Sequence, residues 1–381
     1  MLTMLRDRVA RTPTGQFACP CSGGWHGAKL APTRSATHTG RVAFALLAGC
    51  MLSLAGCAGP DAPSDAASAV RAGDTASAEE TLPVPGSGRI ERWSAFPSTH
   101  VPARHVDIWL PEGYPAAAPY AVVYMHDGQM LFDARHTWNH QEWQADEVAA
   151  RLMASAEVRP FIIVGIHNGG PRRHSEYFPQ RPFESLPDAE RNALLAARRS
   201  PDQPLFAAPV ASDAYLRFLV EELKPEVDRR FAVASGRDST FVLGSSMGGL
   251  ISMYAALEYP DVFGAAACLS THWPGTFQTE NNPMPSAFRS YVENALPDPG
   301  RLRFYFDHGT ATLDALYPPL QDAVDRVFLD RGYDSSNFLS LEFPGAEHSE
   351  QAWAARLDRP LRFLLGRDGE GASATATRNH Y

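Results

Sequence analysis

Gly244-Ser245-Ser246-Met247-Gly248 contains the pattern Gly-x-Ser-x-Gly, centred on Ser246. A serine hydroxyl attacks a carbonyl carbon when a turn holds it exposed beside a base. The apolar run Phe241-Val242-Leu243 precedes the motif, and a helical stretch from Leu250 to Glu258 follows it. A strand–turn–helix of this kind points Oγ away from the backbone. It also aims a helix amino terminus at developing negative charge. Gly244 and Gly248 remove side chains that would clash across the turn. Ser245 is out of register for the role, and an inert turn is the alternative reading.

A serine nucleophile needs a base and a carboxylate that orients it, in the chain order Ser, Asp or Glu, His. His348 lies in Gly345-Ala346-Glu347-His348-Ser349, between the last expected strand and the last expected helix. That is where the base belongs. His272 follows an earlier strand, too soon for the base but near enough to the strand ends for a substrate contact. Asp314 is expected to be the acid, with Asp307 the runner-up and Glu347 a third choice. Asp314 stands in the loop after the strand, past Gly309, whereas the pleat fixes the direction of Asp307. The aspartate not used as the acid would cap the next helix or pair with Arg301 or Arg303.

The oxyanion of such a reaction needs two N–H donors. Met247, the residue after the nucleophile, supplies one. Gln129 supplies the other, from the loop His126-Asp127-Gly128-Gln129, where Gly128 lets the backbone turn inward. His126 and Asp127 support the loop; no comparable cluster is nearby, so no metal is expected. Gly128, His167, Asn168 and His272 are the expected substrate contacts. His167-Asn168-Gly169-Gly170 follows a strand, where the crevice of an open α/β sheet lies. In the segment beyond, Arg173 and Glu176 either join that wall or form a structural ion pair.

The elements that must position these residues are short apolar runs alternating with helical patterns. Strands are expected at 104–109, 119–125, 160–166, 239–244, 264–269, 302–307 and 338–343. Helices are expected at 139–154, 213–229, 247–258, 319–331 and 350–365. Near-continuous apolar strands are buried on both faces, and their alternation with helices gives a mostly parallel sheet covered on both sides. This is an α/β fold in one domain, 91–366, broken by an insertion at 180–212 with a short helix at 188–198. The insertion either shapes a substrate rim or is a solvent-facing excursion.

The chain has 381 residues, with 34 basic and 43 acidic side chains and a net charge of −9. Its only lysines are Lys29 and Lys224, so no basic cluster marks a nucleic-acid binder. Five cysteines are too few for a disulfide scaffold. Cys268, the one cysteine of the folded part, is expected to be a buried packing residue. Arg34, His38 and Arg41 precede a 13-residue apolar run from Val42 to Leu54, which ends in Leu54-Ala55-Gly56-Cys57. A basic flank, an apolar stretch and small residues before a cut read as an export signal. Residues 1–57 are therefore expected to be removed up to a lipid-carrying Cys57, which would anchor the chain in a bacterial cell envelope. An uncleaved anchor helix is the alternative. The 41 residues ahead of the run point to a start later than Met1. Residues 58–90 read as a flexible tether and 367–381 as an unfolded tail.

From about Phe96 to Leu365 the chain resembles the esterase family of α/β-hydrolases related to esterase D, enterochelin esterase and bacterial feruloyl or acetylxylan esterases. The likeness is carried by Tyr124-Met125-His126-Asp127-Gly128-Gln129, Glu176-Tyr177, Gly244 to Gly249, Phe306-Asp307-His308-Gly309-Thr310 and Gly345-Ala346-Glu347-His348. It implies the α/β-hydrolase fold, Ser246 as nucleophile, His348 as base, and Met247 and Gln129 as oxyanion donors. Members often place the acid where Thr312 stands here, so the chain departs from the pattern at that point. The function expected is a serine carboxylic ester hydrolase, without cofactor, acting on a small-molecule, siderophore or acylated polysaccharide ester. An acyltransferase of the same fold and a non-catalytic envelope lipoprotein are the alternatives.

Overall fold

A computed structural model describes residues 81–366. Cys57, the apolar run before it, most of the expected tether and the tail lie outside the described residues. Eight strands form one sheet: β1 (Arg89–Phe96), β2 (Arg104–Leu110), β3 (Ala121–His126), β4 (Phe161–Ile166), β5 (Thr240–Ser245), β6 (Ala265–Leu269), β7 (Arg303–Gly309) and β8 (Phe338–Phe343). Their order is β1-β2-β4-β3-β5-β6-β7-β8. β1 with β2 and β2 with β4 are antiparallel, and the remaining pairs are parallel. This is the α/β-hydrolase fold.

Alternation along each strand explains why the runs are apolar throughout. Val122, Val242, Ala266 and Phe304 face one core, while Val123, Leu243, Ala267 and Tyr305 face the other. The main helices are α1 (Ala145–Ala154), α2 (Met247–Glu258), α3 (Met284–Ala295), α4 (Pro318–Asp330), α5 (Glu350–Ala354) and α6 (Asp358–Leu365). α2, α3 and α4 cover the first core through Ile251, Phe288 and Phe328. α1 and α6 cover the second through Leu152 and Leu361. Cys268 is a free thiol, fully buried in the first core. Among the described residues no helix is long and apolar enough to cross a membrane.

The structure corrects several expected elements, each for a local reason. The helix expected over 213–229 is present and runs without a gap from Ser212 to Arg230, but its middle, Phe218–Leu223, widens into a π turn. Pro225 has no N–H to give the Glu221 carbonyl, and its ring crowds the preceding turn. The helix expected over 350–365 ends at Ala354 and restarts at Asp358, which puts Pro360 in a first turn where its missing N–H costs nothing. α1 starts at Ala145 rather than 139, because Trp143 is buried with its N–H on the Met130 carbonyl. The helix expected over 188–198 closes at Leu195. α3 has no counterpart among the expected helices, although Met284, Phe288 and Val292 recur four residues apart and are all buried.

The folded domain also begins before residue 91. β1 starts at Arg89, inside the expected tether. Val84 N donates to Asp133 at 2.9 Å, Ser87 N donates to Asp146 at 3.0 Å, and Trp109 Nε1 donates to the Ser87 carbonyl at 2.7 Å. Burial and the neighbouring Glu147 carboxylate push Asp146 up to about 7. Between the ordinary carboxylate range and that value the folded state keeps a proton that the unfolded chain has lost. Stability therefore falls as pH rises through this window. Asp146→Asn keeps an acceptor for Ser87 and removes the charge. Its melting temperature is expected to exceed the parent's at alkaline pH, with the two converging toward the ordinary carboxylate range. Parallel curves would contradict the assignment.

Candidate active site

Ser246 sits between β5 and α2 with φ 57° and ψ −120°, a backbone conformation that L-residues rarely adopt. Its N–H donates to the Leu269 carbonyl at 2.9 Å, and the His272 N–H donates to its carbonyl at 3.1 Å, so the turn is pinned to the end of β6. A Cβ at Gly244 would lie 2.6 Å from the Gly248 carbonyl oxygen, which is why the motif needs glycine there.

His348 follows β8 and lines the same cavity as Ser246. Its Nδ1 is 2.6 Å from Asp314 Oδ1, and Asp314 is fully buried. The other carboxylate oxygen accepts from Ser270 Oγ at 2.5 Å and from the Gly309 N–H at 2.6 Å. Burial alone would raise the Asp314 pKa, but the hydrogen bond and charge of His348, with the Ser270 and Gly309 donors, bring it below the ordinary value. The carboxylate is therefore ionised at neutral pH. Thr312, where the family pattern puts the acid, instead accepts the His348 N–H through its hydroxyl at 2.8 Å. The Thr310 and Ala311 N–H groups both donate to the Ala346 carbonyl, knitting the acid loop to the histidine loop. Gly309 permits this, since a Cβ there would lie 2.1 Å from that oxygen.

Asp307 has a different setting. It is buried against Arg356, whose Nε and Nη2 lie 3.1 and 3.0 Å from its Oδ1, and Tyr305 OH donates to Oδ2 at 2.8 Å. The expectation that the aspartate not used as the acid would cap the next helix or pair with Arg301 or Arg303 does not hold for Asp307, whose partners are Arg356 and Tyr305. Glu347 makes no contact with the His348 ring among the described bonds. Ser245, the neighbour of Ser246, ends β5 and is buried.

The loop carrying Gln129 leaves β3 beside the elbow, because β3 and β5 are hydrogen-bonded neighbours. Gln129 lies in a short 3₁₀ turn and Met247 opens α2, so both N–H groups sit at helical amino ends. Asp127 has φ 57° at the start of the turn. Its carboxylate accepts from Arg173 Nε at 2.6 Å, Arg173 Nη2 at 2.7 Å and Asn168 Nδ2 at 2.6 Å. Burial raises the Asp127 pKa and Arg173 more than reverses this, so the pair stays charged. Gln129 Oε1 accepts the Asn168 N–H at 3.2 Å. His126 is buried with Nδ1 2.8 Å from Tyr215 OH, and burial drives its pKa down to about 3, leaving it neutral. Arg173 and Glu176 do not pair with each other. Glu176 accepts from both terminal guanidinium nitrogens, Nη1 and Nη2, of buried Arg104, at 2.9 and 3.0 Å.

The cavity over Ser246 has a volume of about 780 Å³. Of the expected substrate contacts, Asn168 lines it, as do Gln129 and Ser246, whereas Gly128, His167 and His272 do not. Gly128 lies against the Gly165 backbone beneath the loop. His167 turns away, with Nε2 2.8 Å from Asp107, whose carboxylate Arg92 also holds. His272 is buried with Nδ1 2.8 Å from Tyr317 OH, and burial followed by the charge of His348 lowers its pKa to about 3. A strand-end position marks the crevice but not the side to which a ring turns.

Other lining residues were not visible in the sequence. The insertion folds into two short helices and a hairpin, Arg198–Ser200 with Gln203–Pro204. Arg199, Gln203, Pro204, Leu205 and Ala207 from this region form one wall, so the insertion is part of the rim. Trp138, 81% exposed, stands at the mouth, and Trp143 and Trp353 lie deeper. Among the described residues no group of three His, Cys, Asp or Glu side chains could hold a metal ion.

A doubly covered, mostly parallel sheet with a strained serine at its central strand-to-helix turn defines an α/β-hydrolase. The chain belongs to the family described as "Putative esterase", whose model matches residues 102–364. It is 28% identical over 178 residues to the ferri-bacillibactin esterase BesA of Bacillus subtilis (strain 168), covering 45% of this chain and 55% of that protein. The chain thus aligns with about half the length of that relative. An IroE-like serine hydrolase from Shewanella oneidensis superposes with a TM-score of 0.54 at 19% identity, over 73% of this chain and 80% of that one. A ferulic acid esterase superposes with a TM-score of 0.52 at 17% identity, over 74% and 99%. These structural likenesses show the shared fold.

Proposed function

We propose that the protein is a serine carboxylic ester hydrolase that works through an acyl-enzyme on Ser246. The observation that carries this reading is the buried Asp314 carboxylate 2.6 Å from Nδ1 of His348, which shares its cavity with Ser246. Ser246 Oγ attacks the ester carbonyl as His348 Nε2 takes its proton, and Asp314 stabilises the imidazolium. The Met247 and Gln129 N–H groups receive the oxyanion. The alcohol leaves with the proton from His348, and water then attacks the acyl-enzyme by the same path. Turnover of a 4-nitrophenyl ester with an added alcohol acceptor tests hydrolysis against acyl transfer. Free acid as the main product supports the hydrolase, and alkyl ester as the main product supports a transferase.

The wall residues favour a bulky ester with polar or charged substituents, in keeping with the siderophore and ferulic acid esters named in the relatives. The cavity volume suits a ligand of drug-like size. Arg199 stands on the wall with its guanidinium 5.6 Å from the Phe277 ring centre and makes no ion pair among the described residues. Burial, then the charge of Arg173, lowers its pKa, which fits a cation awaiting an anionic partner. Arg199→Gln is expected to lower kcat/KM roughly two- to fivefold for an ester with a carboxylate on its acyl chain, the size of an exposed charge pair. A neutral ester of equal length should be unaffected, and equal effects on both would contradict this role. We propose further that Cys57 carries lipid and holds the enzyme at the cell envelope. Mass spectrometry of the native amino terminus tests this: an internal, unmodified Cys57 would refute it.

A further inference from the structure

Behind Asp314 lies a polar cluster that the acyl-enzyme chemistry does not itself use. Ser270 is fully buried just after β6, with φ 42°. Its Oγ lies 3.0 Å from Trp353 Nε1 and 2.9 Å from Arg356 Nη2, both of which only donate. A hydroxyl has two lone pairs and one proton. With both lone pairs taken, the proton has one direction left, toward Asp314 Oδ2 at 2.5 Å. Arg356 is held in turn by Asp307, so its guanidinium is shared between that carboxylate and the Ser270 oxygen. Trp353 sets its ring edge-on to the His348 ring, with centroids 5.0 Å apart at 82°.

We infer that Ser270 is a positioning residue for the catalytic triad, oriented by Arg356 and Trp353 so that it can only donate to Asp314. This rests on the acyl-enzyme reading of Ser246, His348 and Asp314. The physical argument is one of saturation. Asp314 accepts from Ser270 and Gly309 on one oxygen, which leaves the other aimed at His348 Nδ1. Without the Ser270 donor the carboxylate can rotate and share its oxygens differently, and the imidazole loses its fixed tautomer. The Arg356–Asp307 pair supplies the hub with a charge-assisted donor, which strengthens the hydroxyl as a donor in turn. It gives this buried ion pair a function beyond stability.

Ser270→Ala in the full chain is the test, with Trp353→Phe as a second variant that keeps an aromatic ring beside His348 and removes the Nε1 donor together with part of the cavity lining. Ser270→Ala should lower kcat about 10–100-fold, the effect of losing one hydrogen bond to a charged group. KM should stay within about twofold, since no substrate contact is lost. The low-field proton resonance of the His348–Asp314 hydrogen bond should shift or broaden in proportion. Trp353→Phe should move the resonance in the same direction to a smaller degree, and the resonance rather than KM is its readout, because Trp353 also lines the cavity; it decides the matter if Ser270→Ala does not fold. A folded variant with parental kcat and an unmoved resonance would overturn the inference. If Ser246→Ala itself kept parental turnover, the acyl-enzyme reading would be what had failed; an inactive Ser246→Ala beside a fully active Ser270→Ala would sink this inference alone.

Discussion

Ser246→Ala is expected to lower ester turnover roughly 10⁵–10⁶-fold, as loss of a nucleophile does when base and oxyanion donors remain. The loss should fall on kcat, because the cavity wall is untouched. Alanine fits the turn sterically, and the backbone bonds from Ser246 N to Leu269 and from His272 N to the Ser246 carbonyl remain. The residue keeps the strained φ of 57°, and exchanging serine for alanine does not change that cost. The melting temperature should therefore stay close to the parent's. A 4-nitrophenyl ester assay beside matched circular dichroism reads both quantities. Near-parental turnover would remove Ser246 from the mechanism and leave the elbow as a structural turn.

Asp314→Asn and Asp307→Asn are expected to separate cleanly. Asp314 holds His348 Nδ1 at 2.6 Å, so its amide variant should lose about 10³–10⁴-fold in kcat through the wrong tautomer and a less stabilised imidazolium. Some catalysis should survive, because the oxyanion donors are intact. Asp307 faces Arg356 in a pair whose side chains are 0% and 3% exposed. Its amide variant leaves a buried guanidinium without its counter-charge, a change that typically costs about 3–5 kcal/mol of stability. Turnover per folded molecule should fall no further than the 10–100-fold ascribed to losing the Ser270 donor. Kinetics and thermal melts on both variants check this. A catalytically dead but stable Asp307→Asn beside an active Asp314→Asn would reverse the two roles.

The elbow and the histidine were legible in the sequence because both are local patterns. Gly-x-Ser-x-Gly lies between a strand and a helix that neighbouring residues specify, and His348 falls between the last strand and the helix that follows it. The strands were legible because a sheet buried on both faces leaves few polar interruptions. What stayed hidden depends on distance along the chain. Ser270 and Arg356 are 86 residues apart, and neither type nor spacing marks them as partners. Arg199 lies in an insertion whose own pattern does not say which surface it folds against. His167 and His272 stood at the right strand ends, but their rings turned to Asp107 and Tyr317, buried partners that no local pattern announces. Of the two readings of Arg173 and Glu176, the mutual ion pair failed for the same reason, since Arg104 and Asp127 lie 72 and 46 residues from the partners they take, while Arg173 does line the cavity wall.

The most direct test of the central claim is to react the protein with a fluorophosphonate and map the adduct by mass spectrometry. A serine activated by a neighbouring imidazole reacts fast, whereas the many surface serines do not. The expected result is one adduct, on Ser246, formed at a rate that falls in Asp314→Asn and vanishes in His348→Ala. An unlabelled protein, or an adduct on any serine other than Ser246, would contradict it.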